Sequence, residues 1–169
     1  MPLSQALIDD FKNEASNTRK VLEAVPEDRF DWKPHEKSMP LLRLASHIAE
    51  LPSLVPAIIA ESELDFASPA WAAYKPSTPK TRADILRLFE QHVSGFEKAV
   101  AAKDDDFLSA GWRLKYGETV LMSAPRHGAI RSVAIHHVIH HRGQLTVYLR
   151  LLGVPVPPTY GPTADSPGR

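Results

Sequence analysis

Between Ile130 and Leu152 the apolar residues recur every three or four positions, and that period constrains the fold of this chain more than any other feature. An α-helix turns about 100° per residue, which puts Ile130, Ala134, Val138, Leu145, Tyr148 and Leu152 on one stripe that must face a core. The same stretch contains His136-His137-Val138-Ile139-His140-His141-Arg142-Gly143-Gln144. Two histidine pairs at four-residue spacing are interleaved there, and side chains four apart share a helix face and can reach one ion. The stripe separates them. His141 lies roughly 20° from its centre and His137 about 50°, whereas His140 is about 110° away and His136 farther still. His137 and His141 are therefore the inward pair, and His136 and His140 are flank or surface residues.

Three more segments carry the helical period, and prolines and glycines fill the gaps. From Ser4 to Ala24, the residues Leu3, Leu7, Phe11, Ala15, Thr18 and Leu22 form an amphipathic face that Pro26 closes. A loop with Phe30, Trp32 and Pro34 leads to Ser38, a candidate N-cap, and Pro40, acceptable in a first turn. The second helix runs to about Glu61, with a kink expected at Pro52 and again at Pro56, because neither can donate to the preceding turn. A connection rich in Pro, Ser and Ala, Phe66 to Pro79, precedes a third helix from Arg82 to Ala101, capped by Thr81. Lys103-Asp104-Asp105-Asp106 reads as a solvated turn, since it lacks the Gly and spaced Glu of a calcium loop. Gly111 to Pro125 alternates apolar and polar residues about a glycine, as in a small hairpin.

Four amphipathic helices in 169 residues with 43% hydrophobic content suit one domain, residues 1–169, with a substantial core. The expected fold is all-α: a four-helix up-down bundle with one crossover connection in the second or third link, a small hairpin before the last helix, and an extended tail over 153–169. Acidic and basic residues are equal in number, 20 of each, with no basic run, so nucleic acid is not an expected partner. Nor is a membrane, since no apolar run approaches the roughly 20 residues a span needs. The first residues show no export signal, which makes the cytoplasm the expected compartment. Cysteine is absent. Disulfides, thiolate metal sites and a cysteine nucleophile of the chain's own are thereby excluded.

A third histidine changes the reading of the inward pair. His47 stands in Leu41-Leu42-Arg43-Leu44-Ala45-Ser46-His47-Ile48-Ala49-Glu50-Leu51, on the side of Leu44, Leu51, Leu54 and Ile58. Three imidazoles aimed into one interior are costly unless paired. A divalent ion satisfies all three, and bundle metal sites are built from inward residues on facing helices. His47, His137 and His141 are the candidate metal ligands. His92 reads as a solvated or capping residue beside the stripe of the third helix. Glu50 could accept a hydrogen bond from an imidazole or face solvent, the commoner place for a carboxylate. Gln144 could meet substrate or stabilise its helix, Arg142 points away from the stripe as for an ion pair, and Tyr160 could cover an open coordination position or simply pack. Trp32, Trp71 and Trp112 read as packing residues or pocket walls.

Over nearly its whole length the chain also resembles the DinB family of metal-binding four-helix-bundle proteins, also called DinB/YfiT-like. The resemblance is carried by His137-Val138-Ile139-His140-His141-Arg142-Gly143-Gln144-Leu145, which is similar to the family's final-helix signature. It continues in Tyr148-Leu149-Arg150-Leu151-Leu152-Gly153-Val154-Pro155 and Pro157-Pro158-Thr159-Tyr160-Gly161-Pro162, and upstream in Trp32-Lys33-Pro34 and Leu44-Ala45-Ser46-His47-Ile48-Ala49-Glu50. It implies the same triad, His47, His137 and His141. It further implies a bound divalent ion, zinc or nickel, and a homodimer; the histidine donors by themselves also admit iron and copper. For activity it offers thiol-dependent transferases or isomerases working with low-molecular-weight thiols, metal-dependent hydrolases, and non-catalytic damage- or stress-inducible proteins.

Three neutral imidazoles leave a coordination position for water or substrate. A cation so held can bring bound water toward a pKa of roughly 7 or deprotonate a thiol. With no cysteine in the chain, that thiol would arrive as a cosubstrate. The catalytic residues themselves are not identified by the sequence.

Overall fold

All four expected helices form the long elements of the structure, a computed structural model that describes residues 1–168. Helix α1 spans Leu3–Glu23. The second is divided: α2 is Leu41–Glu50, a 3-10 turn occupies Leu51–Ser53, and α3 is Leu54–Ala60. Pro52 accounts for the break, as it has no N–H for the carbonyl of Ile48. Pro56 adds no second kink, because it falls in the first turn of α3, where its missing N–H would have had no partner within the helix.

Strand β1 (Glu63–Asp65) and the short helix α4 (Pro69–Ala72) follow, then α5 (Arg82–Ala101) and α6 (Asp105–Ser109). Strands β2 (Gly111–Tyr116) and β3 (Thr119–Pro125) precede the last helical run. That run is α7 (Arg126–Ile130), a π-helical stretch over Arg131–His136, and α8 (His137–Leu151). The single helix expected from residue 130 thus begins earlier and is widened before the histidines. Gly153, at φ 72°, ends α8, and the Val154 amide donates to the Leu149 carbonyl at 2.9 Å. The tail beyond carries no helix or strand through residue 168, and Arg169 lies outside the described residues.

The caps show what starts each element. At α5 the Asp84 amide donates to Thr81 Oγ1 (3.1 Å) while the Thr81 amide donates to Asp84 Oδ2 (3.0 Å), a reciprocal capping box. Ser38 does not cap α2. The loop does so instead, with the amides of Leu41 and Leu42 donating to the carbonyls of Trp32 (2.8 Å) and Phe30 (3.0 Å). The acidic run is not merely solvated either. Asp104 caps α6 by accepting from the Phe107 amide (2.8 Å), and Asp105 Oδ1 accepts from the Leu3 amide (2.7 Å) at the start of α1.

Helix α1 packs against α5 and α8, and α2 packs against the same two. Consecutive helices α1 and α2 therefore occupy opposite corners, so the first connection also crosses the bundle, a role the sequence reading had given only to later links. Residues 24–40 are long enough for this at about 3.3 Å each. Phe11 stacks on Phe96 (centroids 4.0 Å apart) between α1 and α5, and Leu44, Ile48, Val138, Leu145 and Leu149 are buried without exposure in the same core.

The protein is mostly helical but not all-α. A three-stranded sheet in the order β1-β2-β3 contains the expected hairpin, turned at Gly117 (φ 58°), plus the parallel strand β1 paired through Glu63↔Arg113. The third strand escapes sequence reading because three residues are too few to show alternation. Its pairing is reinforced by Glu63, which accepts from Arg113 (2.7 Å) and Lys115 (3.3 Å). The segment Leu41–Ala60, 20 residues with mean hydropathy 1.2, does meet the length and composition of a membrane span, contrary to expectation. Of its most apolar 18-residue stretch 56% is buried inside the fold, and the segment is bent at Pro52, as a core element is.

Candidate metal centre

Helices α2 and α8 bring His47, His137 and His141 together, with one candidate ligand nitrogen from each within 4.8 Å of the others. His141 is buried (8% exposed) and the other two are half-buried. The Nε2 atoms of His137 and His141 face each other at 2.9 Å. His141 Nδ1 donates to Gln144 Oε1 at 2.8 Å, so its Nε2 offers a lone pair toward His137. A cation between the two Nε2 atoms would take up both ring nitrogens in place of their contact with each other. The donor set fits a divalent metal ion that prefers nitrogen ligands.

Burial is the main force keeping these imidazoles uncharged. It lowers the His47 pKa from an ordinary 6.5 to about 4, helped by His141, Arg43 and His137 and opposed by Glu50. His137 and His141 shift downward as well, each chiefly through desolvation. Neutral rings are the form a metal needs. A depressed pKa means that the folded, metal-free chain binds fewer protons than the unfolded chain between about pH 4 and 6.5. Its stability should accordingly rise with pH across that window and fall as acid charges the rings. Urea midpoints in the presence of a chelator at pH 5 and pH 7.5 test this, and equal midpoints would contradict it.

The neighbouring residues divide sharply. Gln144, exposed on its own turn, orients His141 and also donates to His140 Nε2 at 3.1 Å. Sequence reasoning had left it between substrate contact and helix support; the three-residue offset from His141 was the available signal. Glu50 is 5% exposed rather than solvent-facing, and it meets Arg43 instead of an imidazole, accepting from Nη2 at 2.7 Å, with that nitrogen 3.4 Å from His47 Nδ1. His136 and His140 are exposed and outside the cluster. His92 Nδ1 lies 2.9 Å from the carbonyl of Ala49, closing the end of α2 in a capping role. Tyr160 does not approach the centre. Its hydroxyl accepts from Arg142 (2.6 Å) and donates to Glu14 (2.7 Å), against α1.

Two clefts adjoin the cluster. One, about 250 Å³, is lined by Arg43, His47, Glu50, Trp71, Tyr74 and His137 among others. The other, about 470 Å³, reaches His141 past Lys37, Ser38, Met39 and Gln144. Of the three tryptophans, Trp71 is a wall of the first cleft, Trp32 packs edge-on against Tyr148 (5.6 Å), and Trp112 is buried in the core.

Comparison with known proteins agrees with this architecture. The DinB family profile matches residues 1–167. Two proteins of Bacillus subtilis (strain 168), both described as uncharacterized, are similar in sequence. YrdA is 26% identical over 158 residues, covering 94% of this chain and 88% of its own. YjoA is 27% identical over 160 residues, covering 89% and 91%. Among solved structures, a DinB-like protein from Bacillus cereus ATCC 10987 superposes with a TM-score of 0.70 at 21% identity, over 92% of this chain and 97% of the other. The YjoA crystal structure gives 0.69 at 24% identity with the same coverage. At such identities these two report on the fold.

Proposed function

The chain belongs to the DinB family, and from that premise we propose that it is a metal-dependent enzyme, a thiol-dependent transferase or a hydrolase, with its ion held by His47, His137 and His141. The observation that carries this reading is that clefts reach the cluster of three imidazoles, one at His47 and His137 and another at His141. A metal that served only to fasten α2 to α8 would be walled in by side chains. Zinc or nickel, with iron admitted by the same donors, would supply Lewis acidity that activates water or a small thiol. The chain's own residues do the rest. Gln144 fixes the ring of His141 with Nε2 inward. Leu51, Leu54 and Trp71 form an apolar wall on the His47 side. The chain has no cysteine, so a thiol must come as a cosubstrate. The cytoplasm, where small thiols stay reduced, suits such chemistry. A homodimer belongs to the same reading, and the exposed Val147 (57%) and Leu151 (60%) on α8 offer an apolar strip to a second copy.

Elemental analysis of protein purified without a histidine tag should find a stoichiometric divalent ion. In cobalt-substituted protein, a low-molecular-weight thiol should alter the visible spectrum. Folded protein that neither carries nor takes up a divalent ion, or a spectrum indifferent to every thiol, ester and amide tried, would count against an enzyme.

A further inference from the structure

Four side chains of α8 form one line of hydrogen bonds, and only the first two belong to the candidate ligands. His137 Nε2 lies 2.9 Å from His141 Nε2, His141 Nδ1 lies 2.8 Å from Gln144 Oε1, and Gln144 Nε2 lies 3.1 Å from His140 Nε2. Their spacing produces the line. At about 100° per residue the four positions fall within roughly 100° of arc on the helix, and each partner stands three or four residues from the next. The line begins in the half-buried cluster and ends at His140, which is exposed. The His140 ring also meets the His141 ring edge-on, with centroids 4.8 Å apart and planes at 72°.

An amide has an acceptor end and a donor end, and each fixes what faces it. With its oxygen toward His141, Gln144 requires the proton on Nδ1 and leaves the Nε2 lone pair free, the form that can ligate. Turned by half a revolution about its last side-chain bond, the amide would present an N–H to Nδ1, and the His141 proton would move to Nε2, where it blocks an ion. The two orientations have nearly the same shape, so what meets the far end of the amide separates them. We infer that His140 is a positioning residue of the metal centre: its Nε2 lone pair accepts from the Gln144 amide, holds the amide oxygen toward His141, and so keeps the His141 proton on Nδ1. Reversal has to carry the whole line with it, because His140 would then have to hold its own proton on Nε2 to meet the amide oxygen. His140 itself touches neither the ion nor a substrate. Its role rests on the metal-centre reading for its purpose, while the hydrogen bonds that perform it need no ion.

The test reads the His141 tautomer by nitrogen-15 NMR of the imidazoles in metal-free protein, at about pH 8, where ordinary imidazoles are neutral. Zinc affinity of the same samples comes from chelator competition. In the parent, His141 should be chiefly the Nδ1–H tautomer. His140→Leu changes an exposed position and leaves the core intact. It should move a substantial share of His141 to the Nε2–H tautomer and weaken zinc about threefold, less than the roughly 10–100-fold expected when a ring's direct partner is lost. His140→Gln, whose side-chain oxygen can accept from the same amide, should restore both. A parent His141 protonated on Nε2, or a tautomer unchanged in His140→Leu, overturns the positioning role. So does a zinc affinity that stays at the parent's level while the tautomer shifts. If His140→Gln behaves as His140→Leu does, the ring contact and not the lone pair is at work, and the role is again overturned. A parent that takes up no zinc while His140→Leu still shifts the tautomer defeats the metal centre alone.

Discussion

His141→Ala is expected to lower divalent-metal affinity about a thousandfold or more while the chain stays folded. Structural zinc binding is worth roughly 10–16 kcal/mol, and with three protein ligands the loss of one removes several kcal/mol of it. The fold should tolerate the change. His141 has no ion pair among the described residues, and the partners its removal leaves, exposed Gln144 and half-buried His137, can turn to solvent. Gln144→Leu is the graded companion. It leaves all three imidazoles in place but frees the His141 ring to turn, which should cost roughly 10–100-fold in affinity. Chelator competition gives the affinities, and thermal melts with and without metal give the stability. A His141→Ala protein that binds metal as tightly as the parent would put the ligands elsewhere. One that melts outright would make the ion, if any, a fastener.

The parts of this molecule legible in its sequence are those fixed by local period and spacing. Helix positions came through because burial enforces a repeat, and Pro52 announced the break between α2 and α3 for purely covalent reasons. Projection of residues 130–152 brought His137 and His141 to the inward side, although the widened turn at Arg131–His136 was invisible to it. The projection survives because the π-helical stretch ends where His137 begins, so the two histidines and the stripe below them share one α-helical phase. Long-range partners were not legible. Nothing local says that Glu50 is buried against Arg43 and the Ser77 amide, that Asp105 holds the start of α1, or that Glu63 leads a strand alongside β2. Each depends on which distant segment folds against it, and a single chain's pattern does not encode that choice in readable form.

The second large effect is expected at Arg142, the residue that follows His141 and turns toward α1 instead of α2. Its side chain is 3% exposed, and its guanidinium meets α1 and the tail at once: the Glu14 carbonyl (3.1 Å), Thr18 Oγ1 (3.2 Å), the Tyr160 hydroxyl (2.6 Å) and the Glu14 carboxylate (2.7 Å). Arg142→Met should cost about 3–5 kcal/mol, because it strands a carboxylate only 14% exposed and leaves a hydroxyl and a carbonyl without their donor. Most of that penalty is the stranded charge. Adding Glu14→Gln to the same chain should therefore recover a large part, a gain that simple loss of packing would not show. Tyr160→Phe removes one bridging hydroxyl and should cost only about 1–2 kcal/mol. Metal affinity should change less than tenfold in all three variants, since none of these atoms touches the histidines. Urea midpoints at constant slope measure the first quantities, and chelator competition the last. If Arg142→Met were as stable as the parent, the clasp between α8, α1 and the tail would be incidental. If it instead abolished metal binding in a stable protein, Arg142 would belong to the centre rather than to the frame that holds α8 in register.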